Sequence, residues 1–313
     1  MGNMISGWGA ALPEKVVTND DFAARLDTSD AWISERTGIR ERRMGGTTGG
    51  LALEAGRQAL ARAGVAPGAV DLLVLSTTTP DQMVPATSSR LHHELGLSGA
   101  AFDLNAACAG FVYALVTADA LLRLGVSGPR ALVVGADTLS RITDQDERGT
   151  AVLFADGAGA VLLEAGADDE LVVAHDLGVD GSADRLIYAD HGGYMVMEGR
   201  EVYRRAVRVV VESVERVLAA AGLKAGELAL FVPHQANLRI IEAVAQRLGI
   251  PMERAAVVLD RTGNTSSASI PLALAEAADA GRLRPGDFVL LSGFGAGMTW
   301  ASAIVRWTAP PRA

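Results

Sequence analysis

The sequence is poor in cysteine, in positive charge and in long apolar runs, and each shortage excludes a class of protein. A single cysteine, Cys108, excludes a framework of internal disulfides and predicts a reducing compartment, which we take to be the cytoplasm. The net charge of −9 argues against nucleic-acid binding. No apolar run approaches the roughly 20 residues that span a bilayer. We therefore expect no membrane partner. The five histidines lack the spacing of metal ligands, so we also expect no metal site.

Helical and strand-like segments alternate along the chain. Apolar positions that recur with a helical period indicate helices, and short uninterrupted apolar runs indicate buried strands. The predicted helices cover 49–64 and 201–222, and the predicted strands cover 70–76, 131–135, 159–163, 228–232 and 287–293. Because the strands are apolar throughout, we expect sheets covered by helices on both faces, as in the α/β class.

The two halves of the chain align on each other at a constant offset of 158 residues. The offset joins four pairs of residues: Gly64 with Gly222, Gly68 with Gly226, Ser76 with His234, and Gly135 with Gly293. Four shared landmarks predict a duplicated α/β unit, and two such units packed together give a five-layer α-β-α-β-α architecture. We expect one half over residues 1–165 and the other over 166–313.

The same offset maps Cys108 onto Ser266 and predicts matching strand-to-helix turns where the halves meet. Cys108 follows a run of small residues and precedes an apolar helical pattern, so its thiol is predicted at a helix start. The positive end of the helix dipole and the unpaired N–H groups there favour the thiolate, which is the nucleophilic form. A buried, inert cysteine is an equally good interpretation of this residue taken alone.

His234 and Asn264 are predicted to lie near the same junction. His234 follows the strand 228–232, and open α/β sheets bind ligands at the carboxyl ends of their strands. Asn264 follows Gly263 just before a predicted helix. A hydrogen-bonded core histidine and a turn or cap asparagine remain as structural alternatives. The glycine-rich loop 293–297 is predicted to offer a backbone N–H to a substrate oxygen, because its pattern fits a dinucleotide fingerprint poorly.

Six stretches, spread over most of the chain, give it a family resemblance. They are TSDAWISERTGIRERR (28–43), AACAGFVYAL (106–115), ERGTAVLFADGAGAVLL (147–163), HQANLRII (234–241), GNTSSASIPLAL (263–274) and GFGAGMTWASAIVRW (293–307). With these motifs the chain resembles β-ketoacyl-acyl-carrier-protein synthase III, a thiolase-like family of condensing enzymes that initiates bacterial fatty acid synthesis. The duplicated fold that this resemblance implies agrees with the 158-residue repeat, which was found independently.

The resemblance implies a decarboxylative condensation that starts fatty acid or polyketide chains. Cys108 takes an acyl group from acyl-CoA as a thioester, and His234 and Asn264 stabilise the enolate formed from malonyl-acyl carrier protein. The backbone N–H groups of Cys108 and Ala296 form the oxyanion hole. No permanently bound cofactor is implied, since the CoA thioester and the carrier's phosphopantetheine arrive as substrates.

The resemblance also implies where the two substrates bind, and it implies a homodimer. CoA is expected to contact Thr28, Trp32, Arg36 and Arg148. The acyl pocket is expected to contain Val84 (contributed across the dimer), Leu139 and Phe294. The carrier protein is expected to dock on Arg204, Arg239 and Arg247. Val84 stands where short-chain members of the family have phenylalanine, which predicts room for a longer or branched primer.

Three other functions compete with this interpretation. A papain-like protease also has the order Cys, His, Asn, but the Cys-Gly-Ser-Cys-Trp neighbourhood of that class is absent here. A secondary-metabolite acyltransferase on the same scaffold would pass the acyl group to a hydroxyl, an amine or a carrier protein without condensation. A non-enzymatic paralogue is disfavoured because Cys108, His234 and Asn264 are all present.

Overall fold

The computed structural model describes residues 2–309. Its strands are β1 Gly2–Ala11, β2 Val16–Thr18, β3 Glu41–Arg43, β4 Leu72–Ser76, β5 Ala100–Leu104, β6 Arg130–Thr138, β7 Asp156–Ala167, β8 Val172–Val179, β9 Ile187–Tyr188, β10 Val196–Met197, β11 Leu230–Pro233, β12 Phe288–Gly295 and β13 Thr299–Arg306. Its α-helices are α1 Asn19–Ala23, α2 Asp30–Thr37, α3 Thr48–Ala63, α4 Thr87–Leu95, α5 Gly110–Arg123, α6 Arg148–Ala151, α7 Gly199–Ala221, α8 Leu238–Leu248, α9 Leu259–Thr262 and α10 Ser269–Asp279.

Two mixed sheets repeat the same strand order. The first sheet runs β5-β4-β6-β7-β1, and the second runs β11-β12-β13-β8. Each sheet contains a parallel pair, β4 with β6 in the first and β11 with β12 in the second. Two antiparallel strands follow each pair, β7 and β1 in the first sheet and β13 and β8 in the second. A parallel bridge between Phe231 and Ala255 stands where β5 would have its counterpart. The duplication predicted from the sequence is therefore present in the sheets.

The layers follow from which sheet each helix contacts. Helices α5 and α10 each contact strands of both sheets and form the central layer. Helices α3 and α4 cover the outer face of the first sheet, while α7, with α8 packed beside it, covers the outer face of the second. This is the predicted α-β-α-β-α order, and the largest apolar core lies around the central helices. Within residues 2–309, every helix is too short or too polar to cross a membrane.

The 158-residue repeat has a structural cause at the helix ends. Helices α3 and α7 end at Gly64 and Gly222, whose φ angles of 65° and 67° lie in the left-handed region that glycine adopts most easily. The strands that follow keep this offset, because Leu72 pairs with Ala131 as Leu230 pairs with Val289. Glycine thus recurs in the sequence at a fixed distance because each copy ends its outer helix in the same way.

At the two central turns, however, the offset is 159, so the predicted pairing of Cys108 with Ser266 is wrong by one residue. Each turn begins with a non-glycine residue at positive φ, namely Ala107 at 48° and Ser266 at 52°. Helix α5 then begins at Gly110 and α10 at Ser269. The counterpart of Cys108 is therefore Ser267. From β11 to its turn the second copy is one residue longer in total than the first copy is from β4 to its turn, and this shifts the register.

A second glycine pair lets each half approach the turn of the other. A Cβ on Gly135 of β6 would lie 2.4 Å from the carbonyl oxygen of Ser267, and one on Gly293 of β12 would lie 3.1 Å from Cα of Ala109. Since real Cβ atoms essentially never come within 3.0 Å of another residue's atoms, a side chain at Gly135 would displace the 266–268 turn. The two turns thus meet at the centre of the molecule, each against the opposite sheet.

Candidate active site

A cavity of about 980 Å³ opens where the two turns meet. Its lining includes Cys108 from the first half, and His234, Asn264 and Ala296 from the second. The three side chains predicted to act together, far apart in sequence, therefore share one cavity. Towards its mouth the lining includes Trp32, Arg36, Tyr203 and Arg239.

Cys108 lies in a short 3₁₀ turn, Ala107–Ala109, directly before α5. The hydroxyl of Ser266 donates a hydrogen bond to Sγ at 3.3 Å, so the second half contacts the nucleophile candidate. A Cβ on Gly295 would lie 2.6 Å from the backbone nitrogen of Cys108, which shows how closely the glycine-rich loop approaches this turn. Because the first N–H groups of a helical turn have no partner within it, the N–H groups of Cys108 and Ala296 suit the predicted oxyanion hole.

The predicted preference for thiolate is wrong for the resting protein. Burial raises the pKa of Cys108 to about 12, and the nearby Asp137 carboxylate adds to the effect, while the Ser266 hydroxyl opposes it. The cysteine borders the cavity, but protein surrounds it on its other sides, and a charged sulfur is costly there. The sulfur therefore rests as a thiol, and its proton must leave during the acyl-transfer step itself.

We predict that alkylation of Cys108 by iodoacetamide accelerates about tenfold per pH unit from pH 7 to 10, because the thiolate fraction rises in that proportion below the pKa. The measurement is the second-order rate at each pH, followed by intact mass. Free cysteine is the control, since its rate levels off near its own pKa of about 8.5. A plateau in the protein below pH 9 would contradict the effect of burial.

His234 follows β11 and is almost fully buried, with 3% of its surface exposed. Its backbone N–H donates to the carbonyl of Ser292 at 2.8 Å, and its Nδ1 lies 2.7 Å from the hydroxyl of Ser269. The ring meets Phe294 edge to face, with 5.4 Å between the ring centroids. Burial lowers the pKa of His234 to about 3, so the imidazole is neutral at physiological pH and presents one N–H and one lone pair.

We predict that His234 makes folding acid-sensitive. Because its folded-state pKa of about 3 lies below the ordinary 6.5, the unfolded chain binds a proton that the folded chain does not. The contribution to the free energy of unfolding is complete above pH 6.5 and is lost as the pH falls towards 3. At pH 5 the loss amounts to about 2 kcal/mol. Urea denaturation at pH 7.5 and pH 5 should show that His234→Gln loses about 2 kcal/mol less than the unsubstituted protein; equal losses would contradict the assignment.

Asn264 is held in the turn between α9 and α10 by its backbone and its side-chain oxygen. Its N–H donates to the carbonyl of Leu153, and its carbonyl accepts from the N–H of Ala155, both at 2.9 Å. Its Oδ1 accepts from the N–H of Ser266 at 2.9 Å. With the oxygen occupied, the amide nitrogen is left to donate into the cavity. A fixed donor is the chemistry that a developing enolate oxygen requires.

Asp137, at the end of β6, is a site residue that the sequence reasoning missed. It is fully buried, and one oxygen accepts from the N–H and the hydroxyl of Thr78 at 2.7 and 2.8 Å. The other oxygen accepts from the N–H and the hydroxyl of Ser267 at 3.0 and 2.7 Å. This carboxylate ties the turn that follows Asn264 to the first half. Its position after the predicted strand 131–135 was the available signal.

The predicted CoA clamp is closed in this structure. The guanidinium carbons of Arg36 and Arg148 lie 4.5 and 4.8 Å from the centre of the Trp32 ring. A base stacked between Trp32 and Arg148 needs roughly 7 Å, which is two contact layers of about 3.5 Å. Arg148, which donates to the carbonyl of Asp27 at 2.6 Å, must therefore move to admit one. Thr28 lies just before the N-cap of α2 and does not line the cavity.

The three predicted docking arginines lie on the two outer helices of the second half. Arg239 is exposed on the first turn of α8, lines the cavity and donates to the carbonyl of Glu35 at 3.0 Å. Arg247 is exposed in the last turn of α8. Arg204 on α7 forms an ion pair with Glu201 at 2.8 Å, which leaves less of its charge available to a partner. Arg239 is thus the one of these three that borders the cavity.

Two of the three residues predicted for the acyl pocket line the cavity, and the third does not. Leu139 and Phe294 line the cavity. Val84 does not; its surface is 84% exposed, beside Met83 at 83%. Val84 is therefore not part of the cavity of its own subunit.

Comparison with known proteins gives one family. The family model described as 3-oxoacyl-[acyl-carrier-protein (ACP)] synthase III matches residues 102–181, and its C-terminal model matches 218–307. A β-ketoacyl-[acyl-carrier-protein] synthase III of Erythrobacter litoralis is 49% identical over 97% of this chain and 98% of that protein. The crystal structure of 3-oxoacyl-(acyl carrier protein) synthase III from Pseudomonas aeruginosa superimposes with a TM-score of 0.95, at 46% identity over 99% of each chain.

A polyketide enzyme is also similar. The crystal structure of the priming β-ketosynthase from the R1128 polyketide biosynthetic pathway superimposes with a TM-score of 0.94, at 36% identity over 99% of this chain and 97% of that one. The fold and these likenesses define a condensing acyltransferase of the thiolase fold, as the motifs indicated. Within that class, the chain belongs to the β-ketoacyl-acyl-carrier-protein synthase III family.

Proposed function

We propose that this enzyme condenses an acyl-CoA primer with malonyl-acyl carrier protein through an acyl thioester on Cys108. The main support is the convergence of Cys108, His234 and Asn264 on one cavity at the meeting point of two halves, in a chain of this family. A nucleophile and two neutral hydrogen-bond donors are the groups that such a condensation needs.

The first half-reaction loads the enzyme. The sulfur of Cys108 attacks the thioester carbonyl of acyl-CoA, a new carbon–sulfur bond forms, and the bond to the CoA sulfur breaks. The proton of the Cys108 thiol leaves with CoA as its free thiol. The N–H groups of Cys108 and Ala296 stabilise the oxyanion of the tetrahedral intermediate.

The second half-reaction forms the carbon–carbon bond. The malonyl group loses CO₂, and the electron pair of the broken bond becomes an enolate whose oxygen accepts hydrogen bonds from His234 and Asn264. The enolate carbon attacks the acyl-Cys108 carbonyl, and the sulfur leaves as thiolate and takes up a proton. The product is a β-ketoacyl group on the carrier protein. Because burial keeps His234 neutral, it acts here as a hydrogen-bond donor and not as a cation.

The substrates are held in place by the groups around the mouth of the cavity. We assign the CoA base to Trp32 and Arg148, with Arg36 and Thr28 beside it, once Arg148 has moved away from the Trp32 ring. The acidic carrier protein is assigned to Arg239, with Arg204 and Arg247 as outlying positive charges. We expect no permanently bound cofactor and no metal, since both thioesters bring their own reactive carbon.

The assembly we propose is a homodimer joined at β5. Among residues 2–309 this strand pairs only with β4, and its other edge remains uncovered. Unprotected edge strands are normally covered by another chain or element. Met83 and Val84 are exposed between β4 and α4, and we propose that the partner subunit covers them, with Val84 entering the partner's acyl pocket. We further propose the cytoplasm as the compartment, because Cys108 must stay reduced. The boundary expected at 165/166 falls inside β7, so we place the division into halves between the end of β7 at Ala167 and the start of β8 at Val172.

The proposed function is tested by mass spectrometry of Cys108 after exposure to a panel of acyl-CoAs, with and without malonyl-acyl carrier protein. We expect an acyl adduct on the Cys108 peptide that disappears when the malonyl carrier is added, with release of CO₂ and formation of β-ketoacyl carrier. The small Val84 predicts adducts from branched or medium-length primers as well as from acetyl-CoA. Failure of every acyl-CoA to label Cys108 would refute the function.

A polyketide-priming role is the second candidate, favoured by the similarity to the R1128 priming β-ketosynthase. It uses the same two half-reactions, so the primer and the carrier distinguish it. Transfer of the acyl group to a carrier, hydroxyl or amine without release of CO₂ would instead identify the non-condensing acyltransferase.

A further inference from the structure

The ring of His234 has one polar partner on its inner side, the hydroxyl of Ser269. The distance from Nδ1 to Oγ is 2.7 Å, and Ser269 is buried as the first residue of α10. The backbone N–H of Gln235 donates to the same hydroxyl oxygen at 3.3 Å. Ser269 lies in the motif 263–274, but the family resemblance gave it no role, and it does not line the cavity.

These two contacts give the hydrogen bond a direction. The Ser269 oxygen already accepts from Gln235, and its O–H has no acceptor other than Nδ1 among the hydrogen bonds of residues 2–309. Because a buried O–H without an acceptor is costly, donation from the hydroxyl to Nδ1 is the arrangement that satisfies it. A neutral imidazole that accepts at Nδ1 carries its hydrogen on Nε2, the nitrogen on the opposite side of the ring.

The first half of the chain has no counterpart of the His234–Ser269 pair. In the first half the positions of His234 and Ser269 are taken by Ser76, at the end of β4, and Gly110, at the start of α5. There a Cβ on Gly110 would lie 2.1 Å from the hydroxyl of Ser76, so that copy has no room for a second side chain. The imidazole and its hydroxyl partner occur together, and only in the half that supplies the donors.

We propose that Ser269 is a positioning residue that holds His234 as the Nε2–H tautomer, so that a hydrogen-bond donor faces the thioester carbonyl of the malonyl substrate. The inference rests on the proposed function, because only the decarboxylation step uses that donor. Without the hydroxyl the ring is free to place its hydrogen on Nδ1 and to turn a lone pair towards the developing enolate, which repels it.

The test compares Ser269→Ala with Ser269→Thr, which keeps the hydroxyl. We expect the alanine variant to lose roughly 10–100-fold in malonyl-carrier decarboxylation, below the ~10²–10³ for a donor removed outright. Acylation of Cys108 by acyl-CoA should stay within about threefold, and the threonine variant should recover most of the loss. Ser213→Ala is the matched control, since it removes a buried hydroxyl bond to Ser302 between α7 and β13, away from the cavity.

The tautomer itself is read by nitrogen NMR of ¹⁵N-histidine protein, with the signal assigned by its absence in His234→Gln. The unsubstituted protein should carry the hydrogen on Nε2, and Ser269→Ala should show an increased Nδ1–H population. An Nδ1–H ring in the unsubstituted protein, or a decarboxylation loss with an unchanged tautomer, overturns the proposal. Because the NMR result needs no turnover, it tests Ser269 even if the condensation itself is not observed.

Discussion

Cys108→Ala should form no acyl-enzyme and should lose condensation by at least about 10⁴-fold. The chain has a single thiol, so no second thiol can replace it, and removal of a covalent nucleophile is among the largest single losses an enzyme shows. The measurement is intact mass after incubation with radiolabelled or isotope-labelled acyl-CoA, together with the rate of β-ketoacyl carrier formation.

The alanine variant carries its own control for folding. His234 and Asn264 remain in place, so it should still decarboxylate malonyl-carrier slowly, with the enolate quenched by a proton. The substitution also removes the acceptor of the Ser266 hydroxyl, a contact on the edge of the cavity whose loss should leave the fold intact. A labelled acyl-enzyme in this variant would show that another residue is the nucleophile.

Asn264→Ala should separate the two half-reactions. Acylation of Cys108 should remain within about threefold, because Asn264 has no part in attack on acyl-CoA. Decarboxylation of malonyl-carrier should fall by about 10²–10³, the usual cost of one lost donor to a developing oxyanion. Single-turnover acylation and CO₂ release, measured on the same preparation, give the two rates.

Asn264→Asp is the matched variant for this experiment. It keeps the shape and the Oδ1 that accepts from Ser266, but replaces the donating nitrogen by a second oxygen. Its decarboxylation should be as low as that of the alanine variant, because a carboxylate repels the enolate. Equal losses in acylation and decarboxylation, in either variant, would show that Asn264 supports the whole turn and not one step.

The sequence predicted the elements whose apolar pattern is unambiguous. The strand expected at 131–135 is β6, Arg130–Thr138, and the helix expected at 201–222 is α7, Gly199–Ala221. The strand expected at 159–163 is longer in the structure, Asp156–Ala167, because its ends are rich in glycine and alanine and carry little apolar signal. Strand β8 was not predicted, since it lies at a sheet edge, exposes the alternate residues His175, Leu177 and Val179, and has the charged Asp176 between them.

The parts of the site that sequence did not reveal depend on contacts between distant segments. Positive φ at Ala107 and Ser266 is invisible in a residue pattern, because neither is glycine, so the sequence does not show that these two residues are the equivalent pair. Burial at Cys108 reverses the charge state that the helix start alone favours. Ser269 and Asp137 act on residues 35 and 130 positions away, at distances that only the packed halves create.

Gly135 and Gly293 allow the two copies to dock closely, and the reaction depends on that docking. Each lets a loop of one copy rest on the sheet of the other, so the thiol and its two donors become neighbours only after both copies have docked. A nascent or partly unfolded chain therefore holds every reactive group and no active centre. Such a chain lacks the aligned donors that condensation needs, so turnover in this enzyme requires that the two copies have docked.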